Sequence, residues 1–212
     1  MIDIPYGKNA KVETLEEANA LKKQFETIGQ ELGLKMLVLL TNGEQPIGYG
    51  VGPLLEAYDV IAVLKNDHSA PPDLREKALD MAGKMLEFVG RAPQGKGREL
   101  ATAELESGRA YSKFQQIIDA QGRKPLPALG RYKQDVPAEF SGRVTQVNNH
   151  RIARIARFAG APTTKNAGLI VYHKKDSNVK KGDRLFTVYA DSDEKLKQAI
   201  AYAKTNEPYT IE

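Results

Sequence analysis

Several residue types that carry chemistry in other proteins are absent or scarce in this chain of 212 residues. It has no cysteine and no tryptophan, so disulfides, thiol nucleophiles and thiolate metal sites are excluded. Its three histidines, His68, His150 and His173, stand far apart and lack the spacing of a zinc site. Apolar runs are short, as in the five residues 36–40, whereas a membrane helix needs roughly 20. The sequence therefore predicts a cytoplasmic protein with no membrane partner.

Charge is unevenly distributed along the chain. Residues 1–129 carry 16 Lys and Arg against 18 Asp and Glu, whereas residues 130–212 carry 15 against 9. The formal net charge of +4 therefore comes from the second part of the chain. A basic surface can attract an anionic substrate, an acidic partner or nucleic acid, and it bears on association rather than on fold.

The first part of the chain has the pattern of an α/β protein. Thr14 and Glu17 form a capping box ahead of apolar residues at helical spacing, which predicts a helix that ends near Gly33. A short strand precedes this helix, and the unbroken apolar run 36–40 predicts a second strand covered on both faces. Strand, helix and strand in this order predict a parallel pair. Further helices are predicted from Pro53, from Pro72 and over 100–121, with a break at Gly108.

The composition changes after a proline-rich segment, 125–137, which predicts a linker. Strands are predicted over 140–147, 169–173 and 185–189, and helices over 150–158 and 193–203. We therefore expect an α/β unit at 1–129, with an incomplete mixed or parallel sheet, followed by a small α+β domain at 130–212. The segment VKKGDRLFTVY, a turn that leads into a strand, predicts a barrel-sandwich-like form for the second domain.

Two motifs suggest ligands but fit them poorly. GRAPQGKG at 90–97 approaches a phosphate-binding loop, yet Gly97 stands where the hydroxyl residue belongs, and a helix rather than a strand precedes it. The alternative is a helix C-cap followed by a solvated basic loop. Arg151, Arg154 and Arg157 share one helical face, which Lys174, Lys175, Lys180 and Lys181 could extend, but no aromatic residues that stack on bases are interleaved with them. Nucleic acid is thus a disfavoured partner.

Three segments resemble the thymidine phosphorylase family, above all its archaeal AMP phosphorylase-like branch. They are IDIPYGKNAKV from Ile2, LLTNGEQPIGYGVGPLLEAYD from Leu39 and AGLIVYHKKDSNVKKGDRLFTVYADSDEKLKQAI from Ala167. They occur in the family's order and span nearly the whole chain, but they resemble only the carboxy-terminal portion of the longer family members. The resemblance implies a pentosyltransferase that cleaves a base–ribose bond with phosphate and releases the base and a pentose 1-phosphate.

The resemblance also implies which parts are outside this chain. The family's phosphate loop and base-contacting residues belong to upstream segments, so we expect no catalytic or substrate-binding residue here and a missing N-terminal half as partner. Phosphate with AMP or a pyrimidine nucleoside would be the substrates of the parent protein, which we expect to be a homo-oligomer. A structural potassium ion of bacterial relatives would fall on Glu44, Ile47 and Glu56. The alternative is a noncatalytic assembly module or an anion- or nucleic-acid-binding module.

Overall fold

The first layer of the fold is a parallel strand pair with one helix. In the computed structural model, which describes residues 1–212, β1 (Ile2–Tyr6) lies parallel to β2 (Val38–Asn42), and α1 (Leu15–Glu31) connects them. The predicted capping box is confirmed, because the Thr14 hydroxyl accepts from the backbone N–H of Glu17 at 3.1 Å and the Glu17 carboxylate accepts from the N–H of Thr14 at 3.3 Å. The sheet has only these two strands.

A helical region follows the first layer. It starts after the two-residue strand β3 (Gly50–Val51), and two of its helices begin with proline, whose fixed φ suits a first turn. The predicted break at Gly108 is confirmed, since this glycine has a φ of +75° between two helices. The helices are α2 (Pro53–Leu64), α3 (Pro72–Phe88), α4 (Gly97–Glu106) and α5 (Arg109–Ala120).

The last 80 or so residues, together with β3, form two small antiparallel sheets with two helices packed on each other. One sheet has the order β3-β6-β8-β4 and the other β7-β5-β9. The helices α6 and α7 contribute Ile152, Ile155, Ala199 and Ile200 to the common core. The elements are β4 (Tyr132–Pro137), β5 (Gly142–Val147), α6 (Asn149–Ala159), β6 (Gly168–Val171), β7 (Asn178–Val179), β8 (Arg184–Ala190), α7 (Asp193–Thr205) and β9 (Tyr209–Ile211).

Two predictions about this part are wrong. The sheets are open and no barrel forms, so the barrel-sandwich-like form is not adopted. The predicted linker at 125–137 is wrong over its last six residues, because 132–137 pair with β8 as an edge strand. An edge strand tolerates Pro137, where the register shifts.

The chain is thus a mixed α/β structure with seven helices. Its two parts share one sheet, since Gly50 and Val51 pair with Ile170 and Leu169. The largest core, with 20 buried residues, belongs to the second part, and none of the seven helices is long and apolar enough to cross a membrane.

Candidate functional site: the loop after β2

The candidate site is the loop 43–52, which leaves the carboxyl end of β2 and leads into α2. Ligands of open α/β sheets bind beyond the carboxyl ends of the strands, so this is the place where the fold favours a site. The loop turns at Gly48, which has a φ of +72°, a value that favours glycine. From there it runs along the second part of the chain, where the Tyr49 carbonyl accepts from the N–H of Val171 at 2.8 Å.

One lysine of the second part reaches into this loop. The Lys174 ammonium donates to the carbonyls of Pro46 and Gly48 and lies 3.2 Å from the Asp73 carboxylate. Its side chain is only 18% exposed. Burial lowers the pKa of Lys174, and the Asp73 charge opposes that shift. The loop therefore encloses a cation that belongs to the protein itself.

Two aspartates hold the backbone of the same loop. One Asp59 oxygen accepts from the N–H groups of Tyr49 and Gly50, each at 2.7 Å, and an Asp73 oxygen accepts from the N–H of Gly48 at 3.3 Å. Desolvation raises the pKa of Asp59, although its two N–H donors and the Lys174 charge act against the shift. Both carboxylates are thus occupied in fixing the loop.

A cavity of about 410 Å³ opens beside the loop, at the carboxyl end of β2. Thr41 and Lys77 lie in its wall with Pro46 and Asp73. The Lys77 ammonium donates to the Thr41 hydroxyl at 3.0 Å and lies 2.7 Å from the Asp3 carboxylate. Asp3 therefore compensates the Lys77 charge, and Lys84 is a further lysine in the wall of the cavity.

The predicted potassium ligands, Glu44, Ile47 and Glu56, all lie on this loop or on the first turn of α2. The Glu44 carboxylate is 2.8 Å from the Lys175 ammonium, and the Glu56 carboxylate accepts from the N–H of Gly52 at 3.0 Å. The backbone carbonyls of Glu44 and Ile47 accept no hydrogen bond, so these oxygens, which suit an alkali cation, are open. No cluster of three His, Asp or Glu side chains forms a metal site, and the potassium assignment stays a prediction.

The other candidate motifs have structural roles. The loop 90–97 connects α3 to α4, begins at Gly90 with a φ of +70°, and has its Lys96 paired with Glu99 at 2.9 Å, as the C-cap interpretation predicts. Gly97 allows α4 to approach α3, because a Cβ there would lie 2.0 Å from the Gly83 carbonyl oxygen.

The predicted basic face divides into separate groups. Arg151, Arg154 and Arg157 are exposed on α6, opposite buried Ile152 and Ile155, as predicted. Two of the four lysines considered with them, Lys174 and Lys175, are instead bound to the loop 43–52 and to α3. Sequence reasoning treated Lys174 as one more surface lysine and did not single out Asp59 or Asp73. No sequence signal separates Lys174 from its neighbour, because their difference in burial arises from the fold.

The amino-acid sequence of this chain matches a known family domain and several named phosphorylases. Residues 143–210 match the pyrimidine nucleoside phosphorylase C-terminal domain. An AMP phosphorylase of Pyrococcus abyssi is 46% identical over 218 residues, which cover 100% of this chain and 43% of that protein. Putative thymidine phosphorylases of Ralstonia nicotianae and Rhodopseudomonas palustris are 42% and 45% identical, with 96% and 100% of this chain and 40% and 41% of those proteins covered.

The chain belongs to the thymidine phosphorylase and AMP phosphorylase family, and it corresponds to a carboxy-terminal portion of these proteins. It spans about two fifths of the length of the relatives it matches. The family resemblance predicted from the three sequence segments is thereby confirmed.

Proposed function

We propose that this chain is the carboxy-terminal portion of a nucleoside or nucleotide phosphorylase and is inactive alone. In the parent reaction a phosphate oxygen bonds to C1′ of the pentose, the bond from C1′ to the base nitrogen breaks, and the base leaves with a proton. Such a site needs groups that hold phosphate and a donor that protonates the base. The observation that carries the proposal is the two-stranded sheet. At the carboxyl end of β2, Lys77 is paired with Asp3 and Lys174 is enclosed by the loop 43–52, so both ammonium groups are already engaged within the chain.

The missing residues would come from the remaining three fifths of the relatives' length. The two-stranded parallel sheet supports this, because parallel sheets are normally covered and extended on both sides. A further strand beside β1 or β2 would place new loops at the end where the cavity opens. Phosphate and AMP, or phosphate and a pyrimidine nucleoside, are the proposed substrates of the completed protein, a homo-oligomer in the cytoplasm. Residues 130–212 are its proposed small C-terminal domain.

The test compares this chain with a chimera. The chimera joins the upstream portion of the Pyrococcus abyssi AMP phosphorylase to this chain, and both proteins are incubated with phosphate and AMP or thymidine. We expect chromatography to show released base from the chimera and none from the chain alone. Base release that needs phosphate and scales with the concentration of the isolated chain would contradict the proposal.

Potassium binding at the loop is a separate proposal. The carbonyls of Glu44 and Ile47 with the Glu56 carboxylate would supply only oxygen ligands. Thermal unfolding of the protein in potassium chloride should then occur at higher temperature than in choline chloride at equal ionic strength. Glu56→Gln, which keeps an acceptor for the Gly52 N–H, should remove this difference. An equal response of the wild type to both salts would exclude the site.

A noncatalytic binding module is the second candidate function, and the exposed arginines of α6 are the observation that favours it. If it is correct, the protein should bind RNA or DNA with an affinity that falls steeply with salt, and Arg157→Ala should weaken binding and reduce the salt slope. Lys197, which is paired with Asp193 on α7, provides the control substitution Lys197→Ala. Binding that is undetectable at low salt would exclude nucleic acid as partner.

A further inference from the structure

We propose that Lys174 is the built-in cation of the loop 43–52, holding its carbonyls in place as a bound monovalent cation would, and thereby positioning the wall of the adjacent cavity. The proposal goes beyond the proposed function and is independent of it. It also differs from the potassium prediction, because the carbonyls that Lys174 binds, those of Pro46 and Gly48, are not in the predicted potassium set.

The Lys174 ammonium has as many acceptors as it has N–H donors. A lysine ammonium has three N–H donors, and three oxygens surround this one, from Pro46, Gly48 and Asp73. Two of these are backbone carbonyls of the loop and the third belongs to the start of α3. One half-buried cation therefore connects the loop, the helical region and the second part of the chain.

The lysine extends from a firmly held backbone. The carbonyl of His173 accepts from the Tyr209 hydroxyl at 2.9 Å, and the carbonyl of Lys174 accepts from the Ser177 hydroxyl at 2.6 Å. On the following residue, the N–H of Lys175 donates to the Gln45 side chain at 2.8 Å. The base of the lysine is thus held by Tyr209, by Ser177 and by the loop itself.

The loop conformation depends on a positive charge at this position. The carbonyls of Pro46 and Gly48 converge on one point with a carboxylate, and Asp59 holds the next two N–H groups of the loop. Without a cation, converging carbonyl dipoles and carboxylates would repel each other in a poorly solvated place. Pro46 and Asp73 also line the cavity, so a change at Lys174 alters the shape of its wall.

The unfolding temperature combines two opposing effects of this contact. Enclosing the ammonium has a desolvation cost, as the lowered pKa of Lys174 shows, whereas removing one partner of a buried ion pair leaves the other charge uncompensated. Local exchange of backbone amides is therefore a sharper measurement than the unfolding temperature.

The experiment is hydrogen–deuterium exchange on the full chain carrying Lys174→Met, with Lys175→Met as the matched control. Lys175 is the neighbouring lysine, also paired with a carboxylate, but 39% exposed. In Lys174→Met we expect the amides of Gly48, Tyr49 and Gly50 to exchange at least about tenfold faster, while those of β8 are unchanged. In Lys175→Met we expect less than about a threefold change in the same amides.

Chemical rescue distinguishes a cation from a space-filling side chain. Lys174→Ala lacks the three carbons and the ammonium that propylammonium supplies, so added propylammonium should slow the exchange of the loop amides again. Tetramethylammonium, which has the same charge but no N–H donor, should not. Rescue by both or by neither, or equal exchange in Lys174→Met and Lys175→Met, would overturn the proposal. If the Lys174 variants do not fold, Asp73→Asn serves instead, and unchanged exchange at Tyr49 and Gly50 in that variant would equally overturn it.

Discussion

The two parts of this chain are built to different degrees of completeness. The second part has one continuous core of 20 buried residues, whereas the first part has separate clusters of four and three. In the second part, β8 contributes Leu185, Phe186 and Val188 to the interior, with α6 and α7 packed near it. A continuous core supports independent folding, and small separate clusters do not.

The surface of the first part also differs from that of a complete domain. Four leucine and isoleucine side chains in α1 or just after it are exposed. The exposed fraction is 51% for Leu15, 51% for Ile28, 66% for Leu32 and 58% for Leu34. Ile28, Leu32 and Leu34 lie near one another at the end of α1, and contiguous exposed apolar residues mark places where another surface packs. The comparison shows that the first part buries fewer apolar residues in a common core than the second part does, in a chain that spans about two fifths of the length of its relatives.

The largest effect is expected when the two parts are separated. The fragment 130–212 should unfold cooperatively in urea, because its core is complete except for the edge strand β3, and the fragment 1–129 should show no cooperative transition. Circular dichroism against urea concentration measures both. A cooperative transition in 1–129 would show that its small clusters are sufficient for folding. The proposed domain boundary would then lose its physical support.

A core substitution in each part sharpens the comparison. Phe186 is fully buried with its ring 6.1 Å from that of Tyr209, so Phe186→Ala should lower the free energy of unfolding by about 4 kcal/mol. Leu79→Ala, in the four-residue cluster of the helical region, should lower it by about 2 kcal/mol. Urea denaturation followed by circular dichroism gives both values. Equal losses would mean that the two cores are equally well packed.

The junction between the parts can be tested at a glycine. Gly168 has a φ of +148°, and a Cβ there would lie 2.1 Å from the Val51 carbonyl oxygen, so Gly168→Ala should displace β3 and lower stability by about 3 kcal/mol. Gly90→Ala is the matched control: its φ is +70° but its Cβ would contact nothing, and the loss should be about 1 kcal/mol. Thermal denaturation compares the two. Similar small losses would show that β3 contributes little to joining the parts.

The smallest effect concerns pH and Asp59. Desolvation raises its pKa in the folded state above its ordinary value of 3.8, so the folded protein binds this proton more tightly than the unfolded chain. The stability that Asp59 contributes is therefore present below pH 3.8 and is lost as pH rises through the folded pKa. The unfolding free energy of the wild type minus that of Asp59→Asn should fall as pH rises over this range, and a rise would contradict the assignment.

Features set by nearby residues were predictable from sequence. The capping box at Thr14 and the prolines at 53 and 72 determine where helices begin, and the order of elements was enough for the parallel pairing of β1 with β2. Short strands were not predictable, since β3 and β7 have two residues each and exist only through their partners. The barrel-sandwich-like prediction failed for the same reason, because the form of a sheet depends on pairing between distant strands.

The candidate site was predictable as a place but not as a set of contacts. The family resemblance placed Glu44, Ile47 and Glu56 there, on the loop after β2 and at the start of α2. The central residue of the site, Lys174, lies about 130 residues further along the chain, in a run that resembles a solvated basic segment. Only the packing of the second part onto the loop separates it from Lys175.

The most direct test of the difference in completeness is native-state hydrogen exchange of the intact chain. The amides of Phe186 and Val188 in β8 should exchange only through global unfolding, whereas those of Ile4 and Leu40 in the two-stranded sheet should exchange through local opening at much lower free energy. Equal exchange free energies in the two sheets would contradict the account, because they would show that the first part is already complete.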